Sequence, residues 1–156
     1  MYELYEVRKD SLVLYPPKED VGNIEERRVS VKIGGWKRSL YWNLITLGKC
    51  RAFIIRDHSG NVIHYSFLIK YCWKFPFMKK GDFEIGPCAT VEEWRGKGIY
   101  PYVLSHICKK ELTKENVGYM IIEEKNISSI KGVEKVGFEK KAALRKDWIK
   151  RYVRGK

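Results

Sequence analysis

Apolar side chains recur along this chain with two periods, and the switches between them lay out a single α/β unit. Tyr2 to Val7 reads as an opening strand. Residues 14 to 30 hold Pro16-Pro17 and mixed charges, which predicts a loop. Ser39 to Gly48 reads as a helix, with Ser39 as cap and Gly48 as stop. Arg51–Asp57 and Val62–Ile69 are strand-like, and His58-Ser59-Gly60-Asn61 between them turns the pair into a hairpin. Phe83 to Val91 is extended and half-buried in pattern. Ile99 to Leu112 carries Val103, Leu104, Ile107, Cys108 and Leu112 at helical spacing. A strand over 118–124, a short helix from about 127 to 136, and closing strands near Phe138–Lys141 and Trp148–Val153 complete the pattern. Neither an internal repeat nor a linker interrupts it, so the expectation is one domain over 1–156 of class α/β (α+β).

Composition narrows the class. At 156 residues the chain can bury a sizeable core, and 44% hydrophobic content is globular. No apolar run approaches the ~20 residues that span a bilayer, and Met1-Tyr2-Glu3-Leu4-Tyr5-Glu6 lacks a signal-peptide pattern. The cysteines at 50, 72, 88 and 108 are scattered, with no Cys-x-x-Cys pair. They read as buried thiols in a reducing cytoplasm, with neither a metal site nor a redox pair expected. The net charge of +12 draws anionic partners. Its residues spread along the chain, with local clusters at Arg27-Arg28, Lys79-Lys80, Lys109-Lys110, Lys140-Lys141 and the tail Arg145 to Lys156. A nucleic-acid partner remains a lesser alternative, since no RRM, zinc-finger or helix-turn-helix signature is present.

The chemistry concentrates at Arg95-Gly96-Lys97-Gly98-Ile99-Tyr100, between the 83–91 strand and the helix from Ile99. Two glycines there let the backbone turn sharply and expose its amides. The first amides of a helix lack internal partners and sit at the positive end of its dipole. With Arg95 and Lys97 beside them, they make an anion site suited to a diphosphate. The spacing fits neither Gly-x-x-x-x-Gly-Lys-Ser/Thr nor Gly-x-Gly-x-x-Gly.

The spacing Arg-x-x-Gly-x-(Gly/Ala) resembles the acetyl-CoA pyrophosphate loop of the GNAT N-acetyltransferase superfamily, with Tyr100 in place of the last small residue. Asn126, Ser129, Glu134, Lys135, Gly137 and Phe138 fall at the offsets of a second GNAT pattern, Asn-x-x-(Ala/Ser)-x-x-Leu-Tyr-Glu-Lys-x-Gly-Phe. The resemblance covers roughly residues 50 to 140 and leaves the first fifty unmatched. It implies a GNAT-like fold: a mixed central sheet, splayed at the cofactor strand and flanked by helices. It implies acetyl-CoA as co-substrate, held by Ala89, Thr90, Val91, Arg95, Gly96, Lys97, Gly98, Ile99, Tyr100 and Asn126, with Asn126 on the pantetheine arm.

The implied reaction is direct acetyl transfer to an amine. An oxyanion donor is expected from a main-chain amide near Cys88–Val91, where Pro87 breaks regular pairing. Glu84 on the same strand is the first candidate base, and His64 on the hairpin the second. Each has a structural alternative, a solvent-facing carboxylate or a packed histidine. The tyrosine that protonates the leaving thiolate in the family falls here at Val133, which cannot donate; Tyr100 and Tyr102 are nearby substitutes.

Aromatic residues crowd the first half, among them Trp36, Tyr41, Trp42, Tyr65 and Trp73. Trp73-Lys74-Phe75-Pro76-Phe77-Met78-Lys79-Lys80 lies on what the resemblance implies is the acceptor side. Core packing explains these rings residue by residue; an acceptor that is anionic or sugar-linked is the functional reading. The loop resembles GNAT-like proteins of surface-polysaccharide synthesis, which points to an amino sugar. A non-catalytic acyl-CoA-binding or regulatory module stays open because of Val133, as does a homodimer.

Overall fold

A computed structural model describes residues 1–16, 21–29, 33 and 35–155. Pro17 and Ser30 of the expected 14–30 loop, Lys156 of the basic tail and the Trp36 side chain lie outside the described set. The elements run β1 (Tyr2–Val7), β2 (Glu25–Arg28), α1 (Trp36–Ile45), β3 (Arg51–Arg56), β4 (Val62–Lys70), β5 (Phe83–Thr90), a short 3₁₀ turn (Glu92–Trp94), α2 (Ile99–Glu111), β6 (Gly118–Glu123), α3 (Ile127–Glu134), β7 (Glu139–Lys146) and β8 (Tyr152–Arg154). The strands form one mixed sheet in the order β2-β3-β4-β5-β6-β1-β7-β8. All pairings are antiparallel except β5 with β6.

Each face of the sheet buries its own core. On one face Phe53, Ile55, Leu68, Phe83 and Ile85 pack against Val103, Leu104, Ile107 and Cys108 of α2 and Val133 of α3. On the other, Ala52, Ile54, Phe67 and Ile69 pack against Trp42 of α1 and against Phe75 and Met78 of the 71–82 loop. Strand alternation divides the residues between the two cores, as a period of two requires.

The differences from expectation have physical causes. Four residues of the loop expected over 14–30 form β2, whose Glu25-Glu26-Arg27-Arg28 has no apolar alternation. It is an edge strand held by the ladder to β3 and by ion pairs, Arg51 to Glu26 at 2.5 Å and Arg56 to Glu25 at 3.3 Å. Helix α1 begins at Trp36, so Ser39 is not its cap; the buried Ser39 hydroxyl donates instead to Ile33 O at 3.0 Å. Trp148 lies in the turn between β7 and β8, 90% exposed, rather than in a closing strand.

Candidate active site

Strand β5 builds the site through one irregularity. Ser66 pairs with Cys88, but Leu68 pairs with Ile85, so Phe67 alone faces Gly86 and Pro87. This bulge adds one residue and flips the alternation. Before it, Phe83 and Ile85 point into the α2 core, which puts Glu84 on the α1 face beside Ile69. After it, Cys88 packs against the α2 core. Thr90 shares that face, because it meets His64 across the ladder.

The bulge also ends the contact with β6. The two strands pair only at Phe83 with Gly118 and Glu84 with Tyr119, and beyond that they diverge. Val91 N–H donates to Ile63 O at 2.9 Å. Antiparallel alternation therefore turns the Ala89 amide toward β4 and the Cys88 and Thr90 amides toward the opening. A cleft of about 500 Å³ fills the space, lined by Cys88, Ala89 and Thr90 on one side and by the starts of α2 and α3 on the others.

The loop entering α2 is shaped for an anion. Gly98 is the N-cap, left-handed at φ 82, and no side chain caps the helix. The first-turn amides thus remain open at the positive end of the dipole. Arg95 Nε donates to Thr90 O at 3.1 Å, which holds its guanidinium at the end of β5. Lys131 of α3 and Lys135 at its C-terminal cap add cationic side chains to the wall. Sequence reasoning had not singled out these two lysines for the cofactor; both lie in the second motif.

Not every expected residue meets in the cleft. Arg95, Gly96, Gly98, Ile99, Tyr100 and Asn126 line it with Ala89 and Thr90; Val91 and Lys97 do not. Val91 starts the 3₁₀ turn and is 43% exposed, and the Lys97 ammonium lies 4.6 Å from the centre of the Trp94 ring. Asn126 caps α3, its Oδ1 accepting from Ser129 N–H at 3.2 Å. Val133 is fully buried in the core. Tyr100 lies across α3 instead, with its hydroxyl 3.8 Å from Met120 Sδ. Burial holds that phenol well above its ordinary range.

The two candidate bases differ. Glu84 is 5% exposed, and its Oε2 has no hydrogen-bond partner among the described residues. Burial raises its pKa well above the carboxylate value, and nearby Lys74 offsets only part of the rise. Its charge is felt at Cys88 and Tyr100, both on the cleft wall. His64 is 1% exposed, with Nδ1 at 2.7 Å from the Thr90 hydroxyl and Nε2 at 2.8 Å from the Ser66 hydroxyl. Burial pushes its imidazole down to about 3, so it is neutral and a weak base. It steadies β5 by tying Thr90 to β4.

Solved structures share this fold. An acetyltransferase from the GNAT family of Colwellia psychrerythraea matches at a TM-score of 0.63 and 15% identity, covering 89% of this chain and 52% of that one. The chain has the GNAT fold. A GCN5-related N-acetyltransferase from Sphaerobacter thermophilus matches at 0.57 and 13% identity, covering 90% of this chain and 48% of that one. A functionally unknown conserved protein from Staphylococcus epidermidis matches at 0.61 and 12% identity, over 90% of this chain and 57% of that one. This GNAT fold therefore spans about half the length of the structures it matches. No family model and no curated protein matches the sequence. Among the described residues, no helix is long and apolar enough to cross a membrane, and no cluster of three or more His, Cys, Asp or Glu could hold a metal ion.

Proposed function

We propose that this chain is an N-acetyltransferase that moves the acetyl group of acetyl-CoA directly to an amine. The observation that carries the reading is the opening between β5 and β6 facing the uncapped start of α2. The donor set fits the co-substrate: the open amides at 96–100, Arg95, Lys131 and Lys135 suit a diphosphate, and the free β5 edge suits an amide-bearing arm.

In this reading the Cys88 or Thr90 amide donates to the oxyanion as the amine nitrogen attacks the thioester carbon. Much of the acceleration comes from positioning the two substrates. Glu84 takes the proton from the amine, directly or through water; its raised pKa makes it a stronger base than an exposed carboxylate. The carbon–sulfur bond breaks, and the thiolate is protonated by the Tyr100 hydroxyl or by water. A thiol of ordinary pKa ~8.5 leaves without compulsory help.

The bulge puts Glu84 on the α1 face, so the acceptor enters from that side. The aromatic side chains there favour an acceptor with an apolar or sugar ring, and an amino sugar is the first candidate. The buried Val133 favours a second reading, an acyl-CoA-binding module without catalysis. The test is release of free thiol from acetyl-CoA with a panel of amino sugars, polyamines and peptides. Amine-dependent release with an acetylated product supports transfer. CoA binding without turnover supports the second reading, and absence of CoA binding rejects both.

A further inference from the structure

Helix α1 and the turn that follows it leave an apolar stripe in solvent. Its inner face buries Ser39, Trp42 and Thr46 against the sheet. Its outer face carries Leu40, Leu44 and Leu47, which are 52%, 67% and 84% exposed. Spaced i, i+4 and i+7, these leucines form one exposed apolar stripe, while Lys37, Arg38 and Asn43 are polar. Leu47 adds a second anomaly. It is left-handed at φ 51, a conformation that disfavours a branched residue, and its side chain is exposed.

The charge around the stripe is one-sided. Residues 27 to 56 contain eight Lys or Arg and not one Asp or Glu. Lys49 is exposed just past Leu47. It shares an open hollow with Arg27, Arg28, Arg51 and Lys70, where cations outnumber the single acid, Glu26, which pairs with Arg51. Lys74 donates to the Tyr41 hydroxyl at 2.6 Å and to Lys150 O at 3.1 Å, which brings the turn of the exposed Trp148 next to α1.

We infer that α1 docks the protein on an anionic bilayer surface. The leucines enter the boundary between headgroups and acyl chains, and the flanking cations meet lipid phosphates. The alternatives each explain half of the pattern. A nucleic acid would use the cations but not three exposed leucines. A second copy would cover the leucines but set two net-basic faces against each other. Binding through α1 would leave the glycine loop and the start of α2, on the other face of the sheet, open to solvent.

The experiment is flotation with vesicles of phosphatidylcholine alone and of phosphatidylcholine with one-third phosphatidylglycerol. The full chain should float with the anionic vesicles, less so as salt rises, and stay behind with the neutral ones. The triple variant Leu40→Gln/Leu44→Gln/Leu47→Gln should lower the partition by roughly tenfold or more. Its far-UV spectrum should be unchanged, because the replaced side chains are exposed. Equal flotation of the triple variant would overturn the inference, as would equal binding to neutral vesicles or none to either. Leucine-independent retention on a DNA duplex without vesicle binding would assign the charge to a polyanion. A dimer in solution that the triple variant dissolves, again without vesicle binding, would assign the stripe to a second copy.

Discussion

The ring of Tyr100 occupies the space that a side chain at Gly132 would need. A Cβ on Gly132 would lie 2.6 Å from Tyr100 Cδ1 and 2.7 Å from Cε1. Two departures from the pattern that the sequence resembles thus fit together: the aromatic ring at 100, and glycine in place of leucine at 132.

Gly132→Ala tests this fit. Alanine inside α3 should gain about 1 kcal/mol in helix propensity. Overpacking against a rigid ring costs about 1–3 kcal/mol, so the net effect should be destabilising. Urea unfolding of Gly132→Ala, Tyr100→Leu and the double variant should give a coupling of roughly 0.5–3 kcal/mol, with the double variant more stable than the two losses summed. Additive losses would mean that the ring and the glycine do not share the space.

CoA affinity should depend on Gly98. Its left-handed backbone admits glycine readily and valine poorly, and a branched side chain there would crowd the open amides. Gly98→Val should weaken CoA binding by roughly tenfold or more, the equivalent of one to three kcal/mol of local strain. Calorimetric titration of a folded Gly98→Val chain is the check, and an unchanged affinity would move the diphosphate elsewhere.

The sequence made some of this legible and hid the rest for physical reasons. Helix α2 was readable because its apolar residues keep one period and face one core. Strand β2 was not, because charged residues on an edge carry no alternation. The glycine loop could be located by residue type and spacing alone. The lysines at 131 and 135 could not be placed on the cleft, since that needs α3 folded beside α2. Pro87 marked an interruption in β5, but the flip that separates Glu84 from Cys88 appears only when the strands are paired. The ordinary pKa of His64 misled, because no sequence signal reported its full burial.

That burial makes His64 a source of acid sensitivity. The folded imidazole holds its proton only below about 3, whereas an unfolded histidine binds one below about 6.5. Between these values the unfolded state carries more protons, so this residue makes stability rise with pH and fall on acidification. The slope is at most about 1.4 kcal/mol per pH unit. Urea unfolding from pH 6.5 to 4.5 should show a shallower loss in His64→Gln than in the parent. Glu84 contributes the opposite slope in both chains, so the difference isolates His64. Parallel curves would show that His64 does not titrate as its burial requires.

Transfer should proceed without an acetyl-cysteine. Cys88 lines the cleft, but burial holds its thiol up at about 12. His64 cannot serve as its base, because Thr90 and Ser66 occupy both ring nitrogens. Incubation with acetyl-CoA alone should leave the mass of the Cys88 peptide unchanged, and double-reciprocal plots should intersect. Parallel plots with an acetylated Cys88 would show a covalent route.

Glu84 should show itself in the pH profile. A base works only when deprotonated, so activity should rise with pH through its pKa. Burial places that limb above the ordinary carboxylate range. Glu84→Gln keeps the shape of the side chain and removes the proton acceptor. It should lower kcat/KM by roughly 10²–10⁴-fold. CoA affinity should barely change, because Glu84 sits on the α1 face and outside the cleft lining. The defect should shrink at high pH, where more of the amine acceptor is already neutral. Burial disfavours the Glu84 carboxylate, and glutamine carries no charge there, so the variant should be at least as stable as the parent at neutral pH. A loss of kcat/KM together with equal or greater stability separates a chemical role from a structural one. Near-normal turnover at neutral pH would move proton removal to a water chain or to no side chain at all.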